Sequence, residues 1–114
     1  MAGDRSPRMT LPTQLVLRAM LAEPTRELYG LQICTEAGLP SGTIHPILAR
    51  LEGLGWLESR WEDDASAQGE GRPRRRYYRI TTYGAECARI ALARATTPVT
   101  GIAVLRTRPA GGPA

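Results

Sequence analysis

At 114 residues, with 42% apolar residues and no Phe, the chain has room for one domain built on a small Leu, Ile, Ala and Val core. Its fifteen basic residues, all Arg, exceed eleven acids, and no apolar run approaches the roughly 20 residues that span a bilayer, so a membrane span is excluded. Two cysteines outside any CxxC spacing, a single His, and the lack of a phosphate-cradling Gly motif or a G-x-S-x-G leave no basis for a metal site, a cofactor or an enzyme.

The N-terminus is polar, with no apolar stretch of the kind that follows a signal peptide, so a cytoplasmic protein is expected. Residues 1–9 read as a flexible arm. Thr10 or Thr13 can cap a first helix that tolerates Pro12 in its opening turn. Leu15 to Ala22 carries one charge, Arg18, which marks a buried helix. A second, short helix is expected from Glu27 to Ala37, with Leu28, Leu31, Ile33 and Cys34 as its apolar set and Gly38 as a left-handed C-cap. Ser41 then suits the N-cap of a third helix reaching about Leu54. In that helix Ile44, Ile47, Leu48, Leu51 and Leu54 recur at three- and four-residue steps. Pro46 costs one helical hydrogen bond, which places the start of that helix near Thr43.

Trp56 to Glu62 alternates as a strand does. Asp63 to Gly71 is polar and acidic, a flexible hairpin tip, and Arg74 to Ile80 is the return strand. Arg74, Arg76, Tyr78 and Ile80 share one face of that strand, and Arg75, Tyr77 and Arg79 the other. Thr81 or Thr82 caps a further helix to about Ala95, with Ala85, Ala88, Ile90, Ala91, Leu92 and Ala95 as apolar surface. Pro98 breaks it. Val99 to Leu105 is apolar enough to pack, and Thr107 to Ala114 forms a tail. The expected units are the arm (1–9), a winged-helix domain with a C-terminal dimerisation helix (10–96), and a partly disordered tail (97–114). The fold class is mainly α with a small β-hairpin: a winged helix-turn-helix with a C-terminal helix.

The charge is not spread evenly. Residues 72–79 hold five Arg and no acid, so the remaining 106 residues carry ten Arg against eleven acids, a net of minus one. An excess concentrated on one strand points to a polyanion, and the strand's position makes it a nucleic-acid-binding wing.

Four fragments resemble the PadR-like family of bacterial transcriptional regulators. They are Leu28-Tyr29-Gly30-Leu31, the run Ser41-Gly42-Thr43-Ile44-His45-Pro46-Ile47-Leu48-Ala49-Arg50-Leu51-Glu52, the strand Gly55 to Glu62, and the run Gly71 to Thr81. In order and spacing they cover roughly residues 11–95. Departures are His45, where the family usually has Tyr, a short stretch between Tyr29 and Ser41, and a modest C-terminal helix. The resemblance implies a DNA-binding regulator that dimerises through its last helix, which in this family often helps to form an effector pocket.

The expected function is a sequence-specific regulator, a repressor, binding double-stranded DNA as a homodimer on a palindromic operator. Ser41 is read as a cap that also offers backbone N–H groups to phosphate, and Gly42 as a point of close approach to the duplex. Thr43 is assigned a thymine methyl or a phosphate. His45 is divided between DNA and packing against the wing. Arg50 reaches a phosphate or a guanine edge, or else pairs with Glu52 or Glu27. Tyr29 donates to phosphate or packs. Arg72, Arg74, Arg75 and Arg76 are assigned to phosphate or the minor groove, while Arg79 pairs with Glu58. Trp56, Trp61, Tyr77 and Tyr78 are read as packing between hairpin and core. Three alternatives remain: a winged helix binding an acidic protein, a redox sensor using Cys34 and Cys87, and an RNA binder, which lacks an aromatic platform motif.

Overall fold

A computed structural model describes residues 6–96. Helix α1 (Leu11–Leu21) starts at Thr10, whose hydroxyl accepts from the Thr13 N–H, and Pro12 sits in its opening turn, where no backbone donor is needed. Of residues 7–9, expected as the end of a flexible arm, Pro7 and Met9 pack inward and Arg8 is exposed. Gln14 donates from Nε2 to the Met9 carbonyl (2.8 Å).

Strand β1 (Leu28–Tyr29) was not expected: the sequence reading gave these residues to the second helix. They instead pair antiparallel with the return strand, Leu28 opposite Tyr78 and Tyr29 opposite Tyr77. Helix α2 (Gly30–Ala37) follows at once, and Gly38 closes it at φ +72°, its own N–H and that of Leu39 both donating to the Cys34 carbonyl. Leu31, expected in the core, is 67% exposed because it lies on the side of α2 opposite the buried Ile33 and Ala37.

Helix α3 (Ser41–Gly53) begins two residues before the expected start. Pro40 is its N-cap residue, so Ser41 does not cap it and occupies the first helical position. Pro46 therefore lies inside the helix, in its second turn. Ile44, Leu48 and Leu51 are buried beneath it. Gly55, at φ +81°, turns the chain into strand β2 (Leu57–Trp61).

The hairpin tip also differs from expectation. Asp64–Gly69 forms a short helix, α4, capped by the Asp63 carboxylate accepting from the Ser66 N–H (2.7 Å), and Ala67 is buried under it. Strand β3 (Arg76–Ile80) returns as the centre of a three-stranded antiparallel sheet, order β1-β3-β2, rather than half of a two-stranded hairpin. Helix α5 (Thr82–Thr96) completes the described chain; Pro98, Val99 to Leu105 and the tail lie outside the described residues.

The core is one cluster, with Val16, Leu17, Met20, Leu28, Ile33, Ile44, Leu48, Leu51 and Trp56 essentially sealed from water. Thr81 joins the sheet to α5. Its hydroxyl donates to the Gly55 carbonyl (2.8 Å) and accepts from the Gly84 N–H (2.8 Å). Cys34 and Cys87 are free thiols at the edge of the core. Among the described residues no helix is long and apolar enough to cross a membrane.

Candidate nucleic-acid interface

Helix α3 buries one side and presents the other to solvent. At 3.6 residues per turn, Gly42, Pro46, Ala49 and Gly53 fall along the middle of the open face, and all four are exposed. Thr43 and Arg50 flank this row on one side, and His45 and Glu52 on the other. The outermost stripe is thus built of residues with little side chain, which permits close approach of a groove floor, while the groups able to hydrogen-bond stand at its edges.

Arg50 is exposed and has no ion pair among the described residues; neither Glu52 nor Glu27 engages it. His45 is also exposed. Its ring lies by Gly30 at the start of α2, where a Cβ would sit 3.5 Å from it, so the packing alternative is met by α2 rather than by the wing. The first backbone acceptor bonds of the helix are Thr43 and Ile44 N–H to the Pro40 carbonyl (3.0 and 3.1 Å), which leaves the N–H groups of Ser41 and Gly42 at the exposed end.

The arginines of residues 72–79 are in a different state from the one their sequence implies. Acids distant in sequence fold back onto nearly all of them. Arg72 donates from both Nη atoms to the Glu62 carboxylate (2.6 and 2.8 Å) and from Nε to Glu70 (3.0 Å). Arg74 contacts Asp64 (3.2 Å), Arg76 approaches Glu52 (3.6 Å), and Arg79 pairs with Glu58 as expected. Arg75 has no carboxylate partner among the described residues; its guanidinium stacks 3.9 Å from the Tyr29 ring centre. The reading of Arg72 as a freely offered cation does not match its position.

Glu62 is the keystone of this wing, and the sequence reading missed it. It is buried, it takes the bidentate Arg72 pair, and its Oε1 accepts from the Arg75 N–H (3.1 Å). Its own N–H donates to the Arg75 carbonyl (2.7 Å), and its carbonyl accepts from Arg74 Nε (2.9 Å). The Arg72 guanidinium, with the Arg75 N–H, holds the Glu62 carboxyl down to about 2, and the same pairing raises Arg72. A lone Glu ahead of two Asp carries no sequence signal of such a role.

The alternation read for β3 holds, while one reading on β2 needs correction. Tyr78 and Ile80 are buried, but Trp61, expected to pack in the core, is 51% exposed. The core ends below it, so Trp61 lies between the guanidinium groups of Arg74 (5.3 Å) and Arg76 (5.0 Å). On the opposite face a ladder runs from Arg75 over Tyr29, edge-on to Tyr77 (5.8 Å between centres), to Arg60 over Tyr77 (5.0 Å), and on to Glu27 (2.7 Å). Tyr29 stands at the N-cap of α2, so this ladder fixes the wing against the helix pair. The Arg60 hydrogen bonds lower Glu27.

The family model described as "Transcriptional regulator PadR-like family" matches residues 19–89. No curated protein sequence matches the chain. Among solved structures the chain is similar to a PadR family transcriptional regulator from Eggerthella lenta DSM 2243 (27% identity, 75% of this chain and 74% of that one, TM-score 0.56). It is also similar to a PadR family transcription regulator from Clostridium difficile R20291 (22% identity, 72% and 84%, TM-score 0.57). A possible transcriptional regulator from Methanosarcina mazei Go1 shares the fold at 15% identity (76% and 69%, TM-score 0.57).

Proposed function

Because the chain belongs to the PadR-like family of transcriptional regulators, and is therefore a DNA-binding regulator rather than an enzyme, we propose that it is a repressor that binds a palindromic operator as a homodimer. The observation that carries this reading is the open face of α3: a row of small residues flanked by Thr43, Arg50 and His45, with Glu52, near its C-terminal end, the one acid of the helix. Two such helices related by a two-fold axis enter successive major grooves about 34–36 Å apart. Arg50 and Thr43 supply the sequence-reading groups, and the Ser41 and Gly42 N–H groups meet phosphate.

In the wing we assign phosphate contact to Arg75 first, with Arg74 and Arg76 beside Trp61 as its neighbours. Arg72 acts through Glu62 as a positioning residue, and Tyr29 acts through Arg75. Dimerisation is supported by Tyr83 and Ile90, which stand seven residues apart on one side of α5 and are more than half exposed. The acidic-partner alternative loses much of its support, since the arginines it invokes, Arg75 apart, already face carboxylates of this chain.

Fluorescence anisotropy tests the proposal, using DNA from upstream of the protein's own gene against scrambled DNA at two salt concentrations. Preference for the upstream DNA that weakens with salt, and that is lost in Arg50→Ala, is the expected result. Equal, weak binding to both DNAs would sink it.

A further inference from the structure

Four surface clefts differ in one chemical respect. The largest, about 540 Å³ between β3 and the start of α5, contains Glu58 and Glu86 as well as Arg79 and Arg89. Two others, of about 210 Å³ each, contain Glu27 and Glu58, and Glu36. The fourth, about 220 Å³, is lined by Arg8, Thr10, Thr13, Pro46, Ile47 and Arg50 and contains no carboxylate among the described residues. Neither of its arginines has an acid partner among the described residues, whereas the wing arginines other than Arg75 do.

Its placement follows from local packing. Pro7 is buried and Met9 packs on the core, so the residue between them points outward, and Arg8 is exposed. The bond from Gln14 to the Met9 carbonyl fastens this extended segment ahead of α1. Ile47 and Arg50 lie on the side of α3 that carries Thr43, while Glu52, which ties α3 to the wing through Ser59 (2.5 Å) and Arg76, lies on the other. The cleft and the wing thus border α3 from opposite sides. A helix seated in a major groove about 12 Å wide has a phosphate strand along each border.

We propose that Arg8, across the cleft from the sequence-reading Arg50, forms a second phosphate-binding site, so that the segment ahead of α1 grips the DNA strand on the side of α3 away from the wing. The inference rests on the reading of the protein as a DNA binder and adds a residue and a surface to it. Arg8 is a backbone-positioning group. Its loss weakens binding to every sequence alike, because phosphate contacts carry no base information.

The test uses the full chain and a short fluorescein-labelled duplex of mixed sequence, titrated between about 50 and 200 mM salt. Arg8→Ala is expected to bind more weakly and to lower the magnitude of the log–log salt slope by about one, which is roughly a threefold smaller loss of affinity across that range. Arg8→Lys is expected to restore the slope, and the circular dichroism melt of each variant to match the parent, since the exposed Arg8 side chain makes no hydrogen bond or ion pair among the described residues. A parent protein that binds with a steep slope while Arg8→Ala keeps the same affinity and slope overturns this site alone. A parent that binds no duplex at either salt overturns both the site and the DNA-binding reading.

Discussion

Glu62 illustrates how much of this fold hangs on single side chains. Burial disfavours its charge, yet the bidentate Arg72 pair and the Arg75 N–H more than offset that cost, so the carboxyl titrates near 2 rather than near its ordinary value of about 4.3. The sign follows from linkage. A folded-state value below the unfolded one means the contribution to stability is complete above about 4.3 and drains away as pH falls from there through about 2. Glu62→Gln keeps the shape and removes the charge. We expect it to flatten the acid limb of the stability curve between those values and to speed amide exchange in residues 62–75, with α1 to α3 little changed. Hydrogen exchange followed by mass spectrometry across a pH series checks both. Unchanged exchange at the wing would show that Glu62 does not hold it.

At the scale of elements, the decisive contact is between α5 and the turn that leads into β2. Gly84 comes so near the Trp56 backbone that a Cβ there would lie 2.1 Å from the Trp56 carbonyl oxygen and 2.6 Å from its Cα. Backbone cannot yield as a flexible side chain can. Gly84→Ala is therefore expected to destabilise the protein by about 2 kcal/mol or more, read from urea denaturation. An unchanged midpoint would mean that α5 docks elsewhere.

The same scale shows what was legible in the sequence. The buried set of α3 repeats at helical spacing and the αL cap at Gly38 needs no Cβ, so both were readable locally, as was the alternation of β3. Strand β1 was not, since two residues have no periodicity and pair with a partner some fifty positions away. Helix α4 was hidden because its polar sequence resembles a loop; only the Asp63 cap and the burial of Ala67 distinguish it. The charge of the wing was misread for a related reason. A run without acids in sequence meets Glu52, Glu58, Glu62 and Asp64 in space, brought there by the sheet register and by α3 and α4 beside it.

For the whole molecule, the proposed dimer makes a separate claim. Tyr83 and Ile90 leave an apolar strip on α5 that a second copy of the chain would cover. Ile90→Glu places a charge on that strip, at a position exposed enough for the monomer fold to accept it. Sedimentation velocity is expected to show a dimer for the parent and a monomer for the variant, with a matching loss of affinity for a palindromic site but not for a half-site. Identical sedimentation of the two proteins would remove α5 from the interface.

The internal pairing of the wing has one more consequence. DNA carries a layer of condensed cations, and an arginine that neutralises a phosphate releases them to bulk, which drives the union. Here the acids facing Arg72, Arg74, Arg76 and Arg79 are tethered counterions, covalently part of the chain. Displacing one to reach a phosphate costs an internal ion pair, which offsets part of the gain from the released cations. The wing then acts as a reservoir of charge held in check, drawn upon only when shape brings phosphate close enough to outcompete a neighbouring carboxylate. Such a protein takes its grip on random duplex mainly from Arg8 and Arg75, which no described carboxylate faces, and leaves discrimination to the fit of α3.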